Sequence, residues 1–121
     1  AVAFSPDGSL VATGCDDKKL RLVEAASGAV IREVEHGHWV HAVAFSPDGS
    51  LVATGCDDKK LRLVETATGA VIREVEHGGE VNDAVRAVAF SPDGSLVATG
   101  CGDKKLRLVD GVSCFSYKEI R

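Results

Sequence analysis

Residues 42–65 read AVAFSPDGSLVATGCDDKKLRLVE, and the same 24 letters stand at residues 1–24. Residues 87–110 carry them a third time with two changes, Gly102 for Asp57 and Asp110 for Glu65. The copying extends beyond this stretch. Residues 1–41 and 42–82 align without a gap and differ at only five of 41 positions. The second spacing is 45 rather than 41, because four residues enter near Asn82 to Val85. A period near 40 marks stacked supersecondary units, none of which can bury its apolar face alone.

One unit resolves into four short β-compatible runs. Ala42-Val43-Ala44-Phe45 is the first, followed by Ser46-Pro47-Asp48-Gly49. Proline at the second turn position and glycine at the fourth suit a type I turn. Leu51 to Cys56 is the second run, and Asp57-Asp58-Lys59-Lys60 a polar turn. Leu61 to Glu65 is the third, Thr66-Ala67-Thr68-Gly69 turns again, and Ala70 to Val75 is the fourth. Short strands with turn signals every 8–12 residues or so predict an antiparallel meander. No helical periodicity survives the turns. The expected fold is all-β, built from repeated four-stranded antiparallel sheets.

The text Val40-x-x-Val43-Ala44-Phe45-Ser46-Pro47-Asp48-Gly49, then Ala53-Thr54-Gly55-Cys56-Asp57-Asp58, then Leu61-Arg62-Leu63-Val64-Glu65 resembles the WD-repeat β-propeller family. The resemblance covers residues 1–110. It implies one partial propeller domain, with blade one at 1–34, blade two at 42–75 and blade three at 87–119. The sequence departs from the family at its Trp-Asp pair, replaced by Val23-Glu24, Val64-Glu65 and Val109-Asp110. Its Gly-His pair appears as Glu35-His36 and Glu76-His77. The resemblance implies a buried polar network of His36, Thr54 and Asp58 in blade two. The corresponding set in blade three is His77, Thr99 and Asp103, and blade one keeps Thr13 and Asp17. Valine cannot supply an indole N–H, so the network has at most three members, and losing one partner of such a set costs roughly 1–3 kcal/mol.

Propellers of this class close with about 4–8 blades. Three repeats leave an apolar flank at each end, populated by the residue types at Val43, Phe45, Leu51, Leu61 and Leu63. Three outcomes are open: a segment of a longer propeller, a ring closed by two or three copies, or an open arc. Residues 111–121 leave the repeat text; alternation across Val112 and Cys114 permits a fourth strand, and a frayed tail is the alternative.

Composition narrows the function. A net charge of −4 offers no electrostatic footprint for nucleic acid. No apolar run approaches the roughly 18 residues of a membrane span. Cys15, Cys56 and Cys101 recur at one position per repeat, too far apart between blades for disulfides. They read as small buried thiols of a reducing, intracellular and cytoplasmic setting; Cys114 has no assignment.

Candidate contact residues emerge from comparing the repeats with one another. Ala25/Thr66 and Ser27/Thr68 vary in the turn between third and fourth strands. His38/Gly79, Trp39/Glu80 and His41/Asn82 vary in the loop entering the next first strand, and Asp57/Gly102 in the turn after the second strand. The family resemblance puts that loop and that turn on one face of the disc, its usual partner-binding face. Trp39, His41, Asp57, Asp16, Glu80 and Asn82 are therefore the expected partner-binding set. Drift at solvated positions is the competing account of this variation. Trp39 is an interface anchor or packs on the neighbouring blade.

His36, His38 and His41 form a His-x-His-x-x-His run, but no Cys-x-x-Cys pair or carboxylate cluster accompanies it, so no metal or other cofactor is expected. The recurring Lys18-Lys19, Lys59-Lys60 and Lys104-Lys105 pairs are matched by Glu33, Glu35, Glu74 and Glu76, so no one-signed field results. Phosphate loops and nucleophile elbows are absent from the sequence. The expectation is a non-enzymatic interaction scaffold whose partner is a protein or peptide. The alternatives are a self-assembling module partnered by its own copies, or a propeller fragment without activity of its own.

Overall fold

A computed structural model of the chain describes residues 1–76, 84–101, 106–110 and 117–120. The architecture is all-β. The first sheet contains β1 (Val2–Phe4), β2 (Leu10–Gly14), β3 (Lys19–Glu24) and β4 (Val30–Glu35). The second contains β5 (Val40–Phe45), β6 (Leu51–Cys56), β7 (Lys60–Glu65) and β8 (Val71–Glu76). The third contains β9 (Val85–Phe90), β10 (Leu96–Cys101), β11 (Leu106–Asp110) and β12 (Tyr117–Ile120). Each is an antiparallel meander with neighbouring strands in chain order.

The third sheet's fourth strand is β12, with Leu106 opposite Ile120 and Val109 opposite Tyr117. Val112 and Cys114, where alternation suggested that strand, lie outside the described residues.

The Ser-Pro-Asp-Gly turns are closed by their own side chains. Asp48 Oδ1 accepts from Ser46 Oγ at 2.7 Å, from Ser50 N–H at 3.0 Å and from Ser50 Oγ at 2.8 Å. The same triad surrounds Asp7 and Asp93. Hydrogen bonds led by those from the serine backbone hold all three carboxyls down at about 2.

Alternation along each strand sends side chains to opposite faces, so the middle sheet can serve two cores. Val43, Val52 and Val64 pack toward Ala12, Leu20 and Leu22 of the first sheet. Ala53, Leu61 and Leu63 pack toward Val97 and Val109 of the third. Each fully buried leucine or valine contributes roughly 1.5–3 kcal/mol relative to exposure. The three sheets stack side by side and do not close into a ring.

The expected flank residues are therefore corrected by position. Leu61 and Leu63 are each 1% exposed, Val43 is buried, and Phe45 and Leu51 are half-buried, because the middle sheet has a neighbour on both sides. The exposed copies lie on the outer sheets: Phe4, equivalent to Phe45, is 67% exposed, and Leu96, equivalent to Leu51, is 40% exposed.

Glycine makes the close stacking possible. An added Cβ on Gly55 would lie 2.8 Å from Val85 O and 2.8 Å from its Cγ1. On Gly14 it would lie 2.5 Å from Val40 Cγ1. The first strand of each following sheet thus rests on a glycine of the sheet before it. Val40 N–H also donates to Cys15 O at 3.3 Å across the first seam.

Candidate functional site

At one end of the sheets, the loop after β4 and the turn after β6 come together. Asp57 N–H donates to Trp39 O at 2.9 Å, tying turn to loop. Val40 pairs with Cys56 and Ala42 with Gly55, which leaves His41 as the extra residue of a β-bulge. Bulges re-aim side chains, and here His41 Nε2–H donates to the Asp57 carboxylate at 3.0 Å. A carboxylate can only accept, so the proton of this bond sits on the imidazole. Trp39 stands edge-on to His41, with ring centroids 6.3 Å apart and planes at 73°. The indole is 51% exposed. The patch thus offers an aromatic face, an imidazole and a carboxylate, with the last two fixed by each other.

Asp16, the first-sheet counterpart of Asp57, is exposed at the corresponding turn. Glu80 and Asn82 lie outside the described residues. Gapless spacing matched them to Trp39 and His41, but the third-sheet register assigns those positions differently. Cys101 pairs with Val85 and Gly100 with Ala87, so Arg86 is the bulge residue there. The equivalent of Trp39 is Ala84, which is buried, and Arg86 is exposed. The four inserted residues displaced the equivalence, and a gap placed before Val85 would have restored it.

Beneath this patch lies a polar cluster at the seam. His36 Nδ1 is 3.2 Å from Val34 O, and Nε2 is 3.0 Å from Thr54 Oγ1. A carbonyl only accepts, so Nδ1 carries the proton, and in the neutral ring Nε2 accepts from the Thr54 hydroxyl. Burial lowers the His36 pKa from its usual value, and the Arg62 cation adds to this. Thr54 is fully buried.

Asp58 turns to Arg62. Arg62 Nη2 lies 2.5 Å from Asp58 Oδ2 and Nη1 3.3 Å from Oδ1, while Nε donates to Glu74 at 2.9 Å. Burial works against the guanidinium charge, but Asp58 and Glu74 more than offset it, and its pKa is raised. Sequence reading missed Arg62 as a site residue. The available signal was the recurring i,i+4 spacing of Asp17–Arg21 and Asp58–Arg62. The first-sheet trio of Asp17, Arg21 and Glu33 has the same pairing in a more exposed setting. Thr13 there is half-buried, and Asp17 is held below its usual pKa, first by the Arg21 hydrogen bond. Thr99 is buried in β10; His77 and Asp103 lie outside the described residues.

Lys19 and Lys60 lie 3.8 Å from Glu33 and Glu74, and Lys104-Lys105 lies outside the described residues. Cys15 and Cys56 are free thiols. Burial pushes the Cys56 thiol up to about 11, which keeps it protonated and unreactive. No helix among the described residues is long and apolar enough to cross a membrane.

The model of the WD domain, G-beta repeat matches residues 1–24, 29–65 and 71–110. Coronin-2B of Xenopus laevis and Coronin-2B of Xenopus tropicalis are each 56% identical to this chain over 32 residues. That stretch is 26% of this chain and 7% of either relative, so the chain spans a small part of the curated relatives it matches. Three matches over most of the sequence, on a chain folded as three four-stranded antiparallel sheets, show that it belongs to the WD-repeat family.

Proposed function

We propose that this chain is a rigid display module that binds a protein or peptide partner at the end carrying Trp39, His41 and Asp57. WD repeats generally mediate protein–protein interaction, and proteins built from them are generally non-enzymatic scaffolds. The observation that carries the reading is the exposed Trp39 indole set against a His41 ring that Asp57 holds in place. Tryptophan is enriched among residues that dominate binding energy. A patch already ordered by sheet and bulge loses little conformational freedom on binding. Asp16 extends this patch in the reading. An intracellular setting belongs to the same reading and is supported by the free thiols of Cys15 and Cys56. Other copies of the chain form a second class of partner, engaged through different residues.

The test compares proteins captured by the wild-type chain with those captured by Trp39→Ala/His41→Ala. A Ser27→Ala variant, altered at the opposite end, serves as control. Loss of specific captured species in the double variant alone supports the reading, and identical profiles for all three contradict it.

A further inference from the structure

The repeats supply an internal control for what each sheet face is built to meet. One face of the second sheet carries Val43, Phe45, Val52 and Val64, and it is covered by the first sheet. The same residues recur on the first sheet as Val2, Phe4, Val11 and Val23. There Val2 is 68% and Phe4 67% exposed, and Val11 and Val23 are only half-buried. The opposite face of the second sheet carries Ala53 and Leu63, which are buried under the third sheet. Their third-sheet copies, Ala98 and Leu108, are half-buried, and Leu96 on that side is 40% exposed.

The two open faces are therefore the two halves of one interface that the molecule already forms twice within itself. The complementary surface for the third sheet's outer face is a first-sheet face, and each copy carries one. We propose that a second copy of this chain docks head to tail, the first sheet of one copy on the third sheet of the other. Two copies then close a ring of six sheets through two equivalent seams. Such a contact is heterologous, joining different patches, and it forms a closed assembly only when the rotation per unit allows. Six sheets fall within the roughly 4–8 that close a propeller, whereas nine do not. This interface uses the sheet flanks and is independent of the Trp39 end.

The test is sedimentation equilibrium of the 121-residue chain up to high micromolar concentration, with the Phe4→Glu and Leu96→Asp variants alone and mixed. The expected wild-type mass is twice 12.6 kDa. Either variant alone should fall to half that mass while keeping its β-type circular dichroism, since both side chains are exposed. An equimolar mixture should regain dimer, because Phe4→Glu retains an intact third-sheet face and Leu96→Asp an intact first-sheet face. Rescue on mixing supports the head-to-tail seam. A monomeric wild type, a concentration-dependent ladder of larger masses, or variants that stay monomeric when mixed would each overturn the proposal.

Discussion

His36, from the loop that leaves the first sheet, meets Thr54 of the second, with Nε2 and Oγ1 3.0 Å apart. Burial lowers the His36 pKa, which favours the neutral ring whose Nε2 accepts from the Thr54 hydroxyl. The unfolded chain, titrating near 6.5, then binds more protons than the fold below that pH. The His36 contribution is present above about pH 6.5 and is lost as pH falls toward the lowered folded value. Urea midpoints between pH 7.5 and 5.5 should decline on acidification, and His36→Asn should reduce that decline. Equal slopes in the two proteins would contradict the assignment.

Arg62 and Arg21 stand in identical local text but unequal surroundings. The Arg62–Asp58 side chains are 8% and 11% exposed, against 24% and 45% for Arg21–Asp17. Removing one partner of a buried pair leaves an uncompensated charge, at about 3–5 kcal/mol, whereas an exposed pair is worth about 0–1. Arg62→Ala should lower unfolding free energy by at least about 2 kcal/mol, and Arg21→Ala by clearly less, as measured by denaturant unfolding.

Lys59 adopts φ 71° and Lys18 φ 75° in the turns after β6 and β2. A side chain in this left-handed region costs roughly 1–2 kcal/mol, which glycine avoids. Lys59→Gly should therefore raise the thermal midpoint. A lowered midpoint would indicate that the lysine side chain contributes more to the fold than its strained backbone costs.

The fold was legible because the repeat isolates one unit and each unit carries its own turn chemistry. Pro47, Asp48 and Gly49 mark a turn that the Asp48 side chain then closes. Trp39, His41 and Asp57 were legible as a group because they vary on a copied background. The role of Arg62 was not, because a strand arginine in alternating text reads as solvent-facing, whereas Arg62 is buried and paired with Asp58 and Glu74. Arg86 was hidden by a four-residue insertion that gapless spacing ignores and strand register resolves. Which apolar flanks stay exposed depends on a sheet's place in the stack, and identical residues such as Phe4 and Phe45 cannot encode that locally.

Adjacent sheets seat the first strand of one against a glycine of the other. Gly55 and Gly100 lie in the same Thr-Gly-Cys text, yet a Cβ on Gly55 would press within 2.8 Å of Val85 O, while one on Gly100 would make only an ordinary 3.7 Å contact with Ala87. The most direct measurement is the urea unfolding free energy of Gly55→Ala beside Gly100→Ala. Gly55→Ala should lose about 1–3 kcal/mol through overpacking. Gly100→Ala should stay within about 0.5 kcal/mol of wild type or gain slightly from a less flexible unfolded chain. Equal losses at the two glycines, or none at Gly55, would contradict the stacked arrangement.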